Sequence, residues 1–295
     1  MKKSIVRFLI GVAALAVATT AAAREVDESI DAAANGHVDI INISGSIEVY
    51  GWSKDSVEVT GELGEKVEEL ILERNGDRVL VKVKVPRNNS NNISSNLAVR
   101  VPAGSSIDVS TVSADITSEG VEGEQMLHTV SGDVELQAAD SDVSAESVSG
   151  DVEITGDGSD IEADANTVSG DVTVIDVSGA VAAEAVSGDL VVRDGSFERA
   201  TLNSVNGEID FQAELRNGGK LAVETVNGDV DVRFAGDVSA KFNIETFNGD
   251  ISNCFGPQAQ RTSKYTPGYE LSFTEGDGDG RVTIATLNGD IDMCK

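Results

Sequence analysis

Proline, histidine, cysteine and large aromatic residues are scarce in this chain. Of 295 residues, 4 are Pro, 2 are His, 2 are Cys and 1 is Trp, and aromatic residues make up 4%. The two His, His37 and His128, are isolated and form no His-rich metal motif. A Gly-x-Ser-x-Gly elbow and a phosphate-binding loop are also lacking. So few bulky side chains exclude a thick globular interior. The core has to be thin and built from Val, Ile, Ala and Leu, which suits stacked strands. Positive charge is scarce too, with 22 Lys and Arg against 51 Asp and Glu and a formal net charge of −29. Such a surface repels nucleic acid and anionic lipid, stays soluble and attracts cations. Among so many acids, a pair of carboxylates carries no catalytic information.

Long apolar runs are absent except at the start. Lys2, Lys3 and Arg7 precede an apolar run over 8–17, and Ala21-Ala22-Ala23 offers small residues before Arg24. That pattern predicts a secretory signal peptide over 1–23, too short for a comfortable membrane span. No Cys follows the run, so no lipid anchor is expected. Cleavage removes three positive charges and no negative ones, which moves the net charge from −29 to −32. The chain is expected to be soluble, exported to the periplasm or cell surface, and not membrane-spanning.

What the chain has in quantity is Gly, 30 residues, and a repeat. A hydrophobe, Ser or Asn, Gly or Ala, an acid and a hydrophobe recur nine times. The acid falls at Asp115, Asp133, Asp151, Asp171, Asp189, Glu208, Asp229, Asp250 and Asp290, in steps of 18, 18, 20, 18, 19, 21, 21 and 40. A weaker copy is Ile43-Ser44-Gly45-Ser46-Ile47. After each acid comes a short alternation such as Val134-Glu135-Leu136, then a second turn, then another alternation such as Val143-Ser144-Ala145. Gly and Asn supply the turns. Each repeat is therefore strand, turn, strand, turn, and stacking rewards such near-identity. These features predict an all-β fold: a single-stranded right-handed parallel β-helix of about 18–21 residues per coil, spanning 102–295 with an insertion at 253–280. Thr225 and Val226, and their equivalents, cannot both face inward, so a bend is expected between them. The coil cross-section, flat or triangular, stays open. Residues 24–101 differ. Asn75-Gly76-Asp77 sits between two apolar runs as a hairpin signal, and the region reads as a β cap over the first rung.

Gly45-Ser46-Ile47-Glu48-Val49 with Gly51-Trp52, then Leu97-Ala98-Val99-Arg100-Val101-Pro102, resembles the bacterial "putative adhesin" family, a domain of unknown function in exported β-strand-repeat proteins. The recurring Val-Ser-Gly-Asp-Val and the close from Gly278-Asp279-Gly280 to Asn288-Gly289-Asp290 strengthen the resemblance. It implies a right-handed β-helix and no catalytic residues.

Candidate sites follow. Stacking sets the motif acids about 4.8 Å apart, where two like charges repel by roughly 0.9 kcal/mol in water. Backbone N–H groups of each acid's own turn are expected to offset this, with a row of bound Ca²⁺ as the alternative. Asp277 and Asp279 resemble part of a Ca²⁺ loop but lack its remaining acids; a structural turn is the preferred reading, and no other cofactor is expected. Arg261, Lys264, Tyr265 and Tyr269 in the insertion are candidates for recognition, against a covering hairpin that packs its aromatics on the last coils. Cys254 and Cys294 each lie four residues after a motif acid. They take equivalent places in the last two coils and are expected to form a disulfide that pins the final one. The functional reading is a monomeric, non-enzymatic, adhesin-like or scaffold protein that binds a protein or glycan of the envelope. A sensory or envelope-stress accessory that binds a membrane partner is the alternative, and a carbohydrate-active enzyme is the least favoured.

Overall fold

The computed structural model describes residues 24–87, 91–263 and 267–295. The predicted signal peptide, 1–23, lies outside the described residues. The described residues form twenty-five strands and no helix, all joined in one sheet. The fold is all-β and solenoid-like. Two parallel ladders run the length of the molecule. One stacks Ser106–Ser110, Gln125–Ser131, Val143–Ser149, Asp160–Ser169 and Ser178–Ser187. The other stacks Ser113–Glu119, Val134–Gln137, Val152–Thr155 and Val172–Ile175. Leu190–Asn206 and Ile209–Asn227 are long enough to contribute to both.

The alternation read in the sequence places the core. Val134, Leu136, Val152, Ile154, Val230 and Val232 point inward and are at most 2% exposed. Aliphatic residues fill the early coils. Later coils hold a file of six Phe side chains, from Phe197 through Phe211, Phe234, Phe242 and Phe255 to Phe273, with neighbouring ring centroids 4.4–6.4 Å apart.

Sequence order and stacking order part company at both ends. Ser44–Trp52 lies between Ser95–Pro102 and Ser113–Glu119, and His37–Ile41 lies between Arg78–Lys84 and Ser106–Ser110. At the far end, Gly280–Asn288 lies between Ile209–Asn227 and Ala240–Asn248. Ile291–Cys294 lies between Val230–Phe234 and Ile251–Asn253. The expectation that the last repeat in sequence is the outermost coil is therefore corrected: it is the second from the end. Antiparallel strands cover both ends. Glu69–Asn75 pairs with Arg78–Lys84 through the Gly76 turn, and Ser56–Leu63 pairs with both Ser95–Pro102 and Arg24–Asp31. Tyr269–Glu275 covers Ala240–Asn248. Such cover shields the terminal parallel rungs, whose bare backbone would otherwise template a foreign strand, and moves the sheet edge to Arg24–Asp31 and Glu69–Asn75, each with one strand partner.

Cys254 and Cys294 are bonded, with Cα atoms 5.0 Å apart. The coil register that aligns them is the one read from the repeat, although their coils stack in the reverse of chain order.

Candidate functional site

The repeat motif builds one surface. Take the coil around Asp151. Ala145 and Ser147 point into the core, and the next residue, Val148, would point out while Ser149 returned inward. Instead Val148 and Ser149 are both exposed, because the chain turns a corner there. Gly150 makes the corner: a Cβ on it would stand 2.0 Å from the Gly132 carbonyl oxygen of the coil below. The hydrophobe before the corner is left outside in every copy. Val112, Val130, Val148, Val168, Val186, Val205, Val226, Leu287 and Phe247, in stacking order, are each 40–47% exposed. Nine rungs at about 4.8 Å make a row about 38 Å long. Single exposed hydrophobes are ordinary, whereas a contiguous file of nine is not.

The row forms one wall of a groove. The floor is small and mostly hydroxylated: Thr129, Ser147 and Thr167 are 5% exposed. Ser147 and Thr167 donate to the carbonyls of Gly132 and Gly150, both at 3.0 Å, so the floor is fixed by the coil beneath. The opposite wall carries His128, Glu146, Asn166, Glu184 and Asn203. Over these five rungs the groove holds about 490 Å³. His128 Nδ1 lies 3.1 Å from Glu146 Oε2 within that wall. At the far end the covering strand pairs Tyr269 with Thr246, beside Phe247.

The motif acids line the other flank of the row. Their repulsion is offset, though not in the manner expected. Seven of the nine carboxylates, those other than Glu208 and Asp250, accept from the backbone N–H of the acid in the next coil rather than from their own turn. Asp151 N–H donates to Asp133 Oδ1 at 2.9 Å, and Asp171 to Asp151 and Asp189 to Asp171 at 2.8 Å. Beyond the rearranged coils, Asp290 donates to Asp229 and Asp250 to Asp290, both at 2.8 Å. Parallel stacking brings each N–H over the carboxylate below, which a turn considered alone does not reveal. The later switch from Ser to Asn has a similar origin. The amides of Asn206, Asn227, Asn288 and Asn248 bond in series at 2.8–2.9 Å, an amide ladder of the kind stacked strands favour.

The other candidates are dispersed. Asp277 and Asp279 are both exposed. Ser239 Oγ accepts from the N–H groups of Asp277 and Gly278 at 3.0 and 3.2 Å, so this glycine-rich stretch is a turn tied to the preceding coil. Arg261 lies over the Tyr269 ring, 5.5 Å from its centroid, within the covering strands. Lys264 and Tyr265 lie outside the described residues. A cluster that the sequence did not suggest joins His37, Asp39 and Asp108, whose ligand atoms lie within 4.8 Å of one another. Arg78 donates to both Asp39 oxygens. Burial pushes the Asp39 carboxyl up, but Arg78 and His37 outweigh it and hold the carboxyl below its ordinary range. The guanidinium already sits where a cation would bind.

Fold and groove define a class: solenoid-like β-repeat proteins that carry an extended surface groove. The family follows from comparison. The Toastrack DUF4097 family model matches residues 24–191 and again 177–293, and the chain belongs to that family. Among solved structures, a "putative adhesin" from Parabacteroides distasonis ATCC 8503 is 10% identical with a TM-score of 0.48, covering 92% of this chain and 97% of its own. A "putative lipid binding protein" from the same organism is 14% identical with a TM-score of 0.41, covering 92% and 97%. A "putative adhesin" from Bacteroides fragilis NCTC 9343 is 11% identical with a TM-score of 0.41, again covering 92% and 97%. No curated protein matches the chain.

Proposed function

We propose that this is a non-enzymatic, adhesin-like binding protein of the bacterial envelope, and that the groove is where it binds. In this reading residues 1–23 direct export, the coils wind right-handed, and the chain works as a monomer in the periplasm or at the cell surface. The observation that carries the reading is the unbroken apolar row. Every one of nine coils exposes a hydrophobe at one position, although Thr would serve a strand equally well there and cost nothing in water. The rigid stack holds these side chains in line, so little ordering is needed on binding. The test compares capture from envelope extract by the immobilised protein and by a V148T/V168T/V186T variant. The reading expects material that soluble protein competes off and that the variant fails to retain. Equal capture by both would overturn it.

A further inference from the structure

We infer that the groove takes a basic amphipathic polypeptide helix laid along the stack. The inference rests on the groove being the binding surface and concerns what fills it.

Charge selects the partner. Each rung contributes six consecutive residues to the groove and its flanks, from the opposite wall to the motif acid, for example Glu146 to Asp151. Across all nine rungs these segments contain no Lys or Arg. They contain the nine motif acids on one side of the apolar row and Glu146, Glu184, Glu224 and Glu245 on the other. An apolar file between two acidic flanks complements an apolar stripe between two basic ones. A second copy of this chain would bring the same acids face to face, and an anionic lipid surface would be repelled likewise.

Backbone chemistry selects the helix. The row crosses the strands at right angles, and the strands beneath it spend their N–H and C=O groups on their ladder neighbours. An extended peptide lying along the row would find no free edge to pair with and would leave its own backbone groups unmatched. A helix bonds its backbone internally and presents apolar residues at i, i+3, i+4 and i+7, about 5.4 Å per turn, close to the rung spacing of about 4.8 Å. A row of about 38 Å accommodates about 25 helical residues.

The test uses a labelled 18-residue Leu/Lys peptide designed as an amphipathic helix. Its controls are an isomer of the same composition without a stripe, a Leu/Glu analogue, and an uncharged fluorescent acyl chain. Proteins are the unaltered chain, V148T/V168T/V186T, which keeps β-branching at exposed sites, and E146Q/E184Q/E224Q. Unaltered melting temperatures verify that the variants are folded. The expected result is binding of the Leu/Lys helix that falls at least tenfold in each variant, with a weaker salt dependence in the Gln variant. Equal binding of the stripeless isomer, or equal binding by the Thr variant, would overturn the inference as mere attraction to an acidic surface. If the acyl chain binds in a Val-dependent way and the Leu/Lys helix does not, the groove reading stands and the occupant is wrong. If no probe responds to the Thr substitutions, both fail. Sedimentation showing a dimer that the Thr variant loses would make the occupant a second copy and overturn the inference.

Discussion

At the scale of single residues, adjacent positions in one strand have opposite fates. Val152 is 1% exposed, while Glu153 beside it is exposed. Val152→Asp buries an unpaired carboxylate and is expected to cost about 3 kcal/mol or more, while Glu153→Asp leaves stability within about 0.5 kcal/mol. Thermal melts of the two variants check this, and equal midpoints would contradict the inward assignment. A second residue gives a pH dependence. Burial pushes the Asp164 carboxyl above its ordinary value of 3.8, and the charges of Glu162, Asp142, Glu146 and Glu184 push it further. A carboxyl with a raised folded pKa holds its proton more tightly when folded. Its charge therefore weakens the fold at neutral pH, and the penalty fades as pH falls through the raised pKa toward 3.8. Asp164→Asn is expected to melt above the parent at pH 7, with the difference closing by about pH 3. A gain that persists there would point to a packing effect instead. These inward and outward assignments were legible because the alternation is local. The exposure of Val148 was half legible: the sequence showed that Thr225 and Val226 could not both face inward, but the bend expected between them falls later, at the following Asn or Ser and Gly, and Val226 leaves the core by ordinary alternation.

At the scale of elements, stacking creates interactions that no single repeat contains. The Asp133 carboxylate and the Asp151 N–H are eighteen residues apart and meet only because coils lie in register. The same register brings Cys254 to Cys294, separated by 40 residues. In the chain-entropy model a loop of that length is worth roughly 4 kcal/mol. Replacing both Cys with Ser is expected to lower the melting temperature and to raise amide exchange in 240–294, with little change in 106–187. A uniform rise across the chain would show that the bond supports the whole stack rather than its far end. The pairing was legible because it needs only equivalent places in two coils. The order of those coils was not. The motif around Asp290 matches the one around Asp250, so the repeat says that each segment makes a rung without saying which rung. What decides is the length of chain between them, with 253–280 long enough to form a cover and return.

For the whole molecule, the position of Gly280–Asn288 acquires a meaning under tension. This strand is bonded on both sides, and its coil is joined to the next by the disulfide. Arg24–Asp31, at the opposite end, has one ladder partner among the described strands, Ser56–Leu63, and Arg74 also donates to the Asp31 carbonyl at 3.2 Å. A load entering through Lys295 must break two ladders together and is shared with Cys254. A load entering through Arg24 strips one strand from one partner. Pulled between these two points, the molecule is expected to lengthen first from the Arg24 side, in a step unchanged by Cys254→Ser. Force-ramp measurements on single molecules would show it, and an early step sensitive to that substitution would contradict it. A stack built this way yields at one end while the other, and the groove between them, keeps its shape.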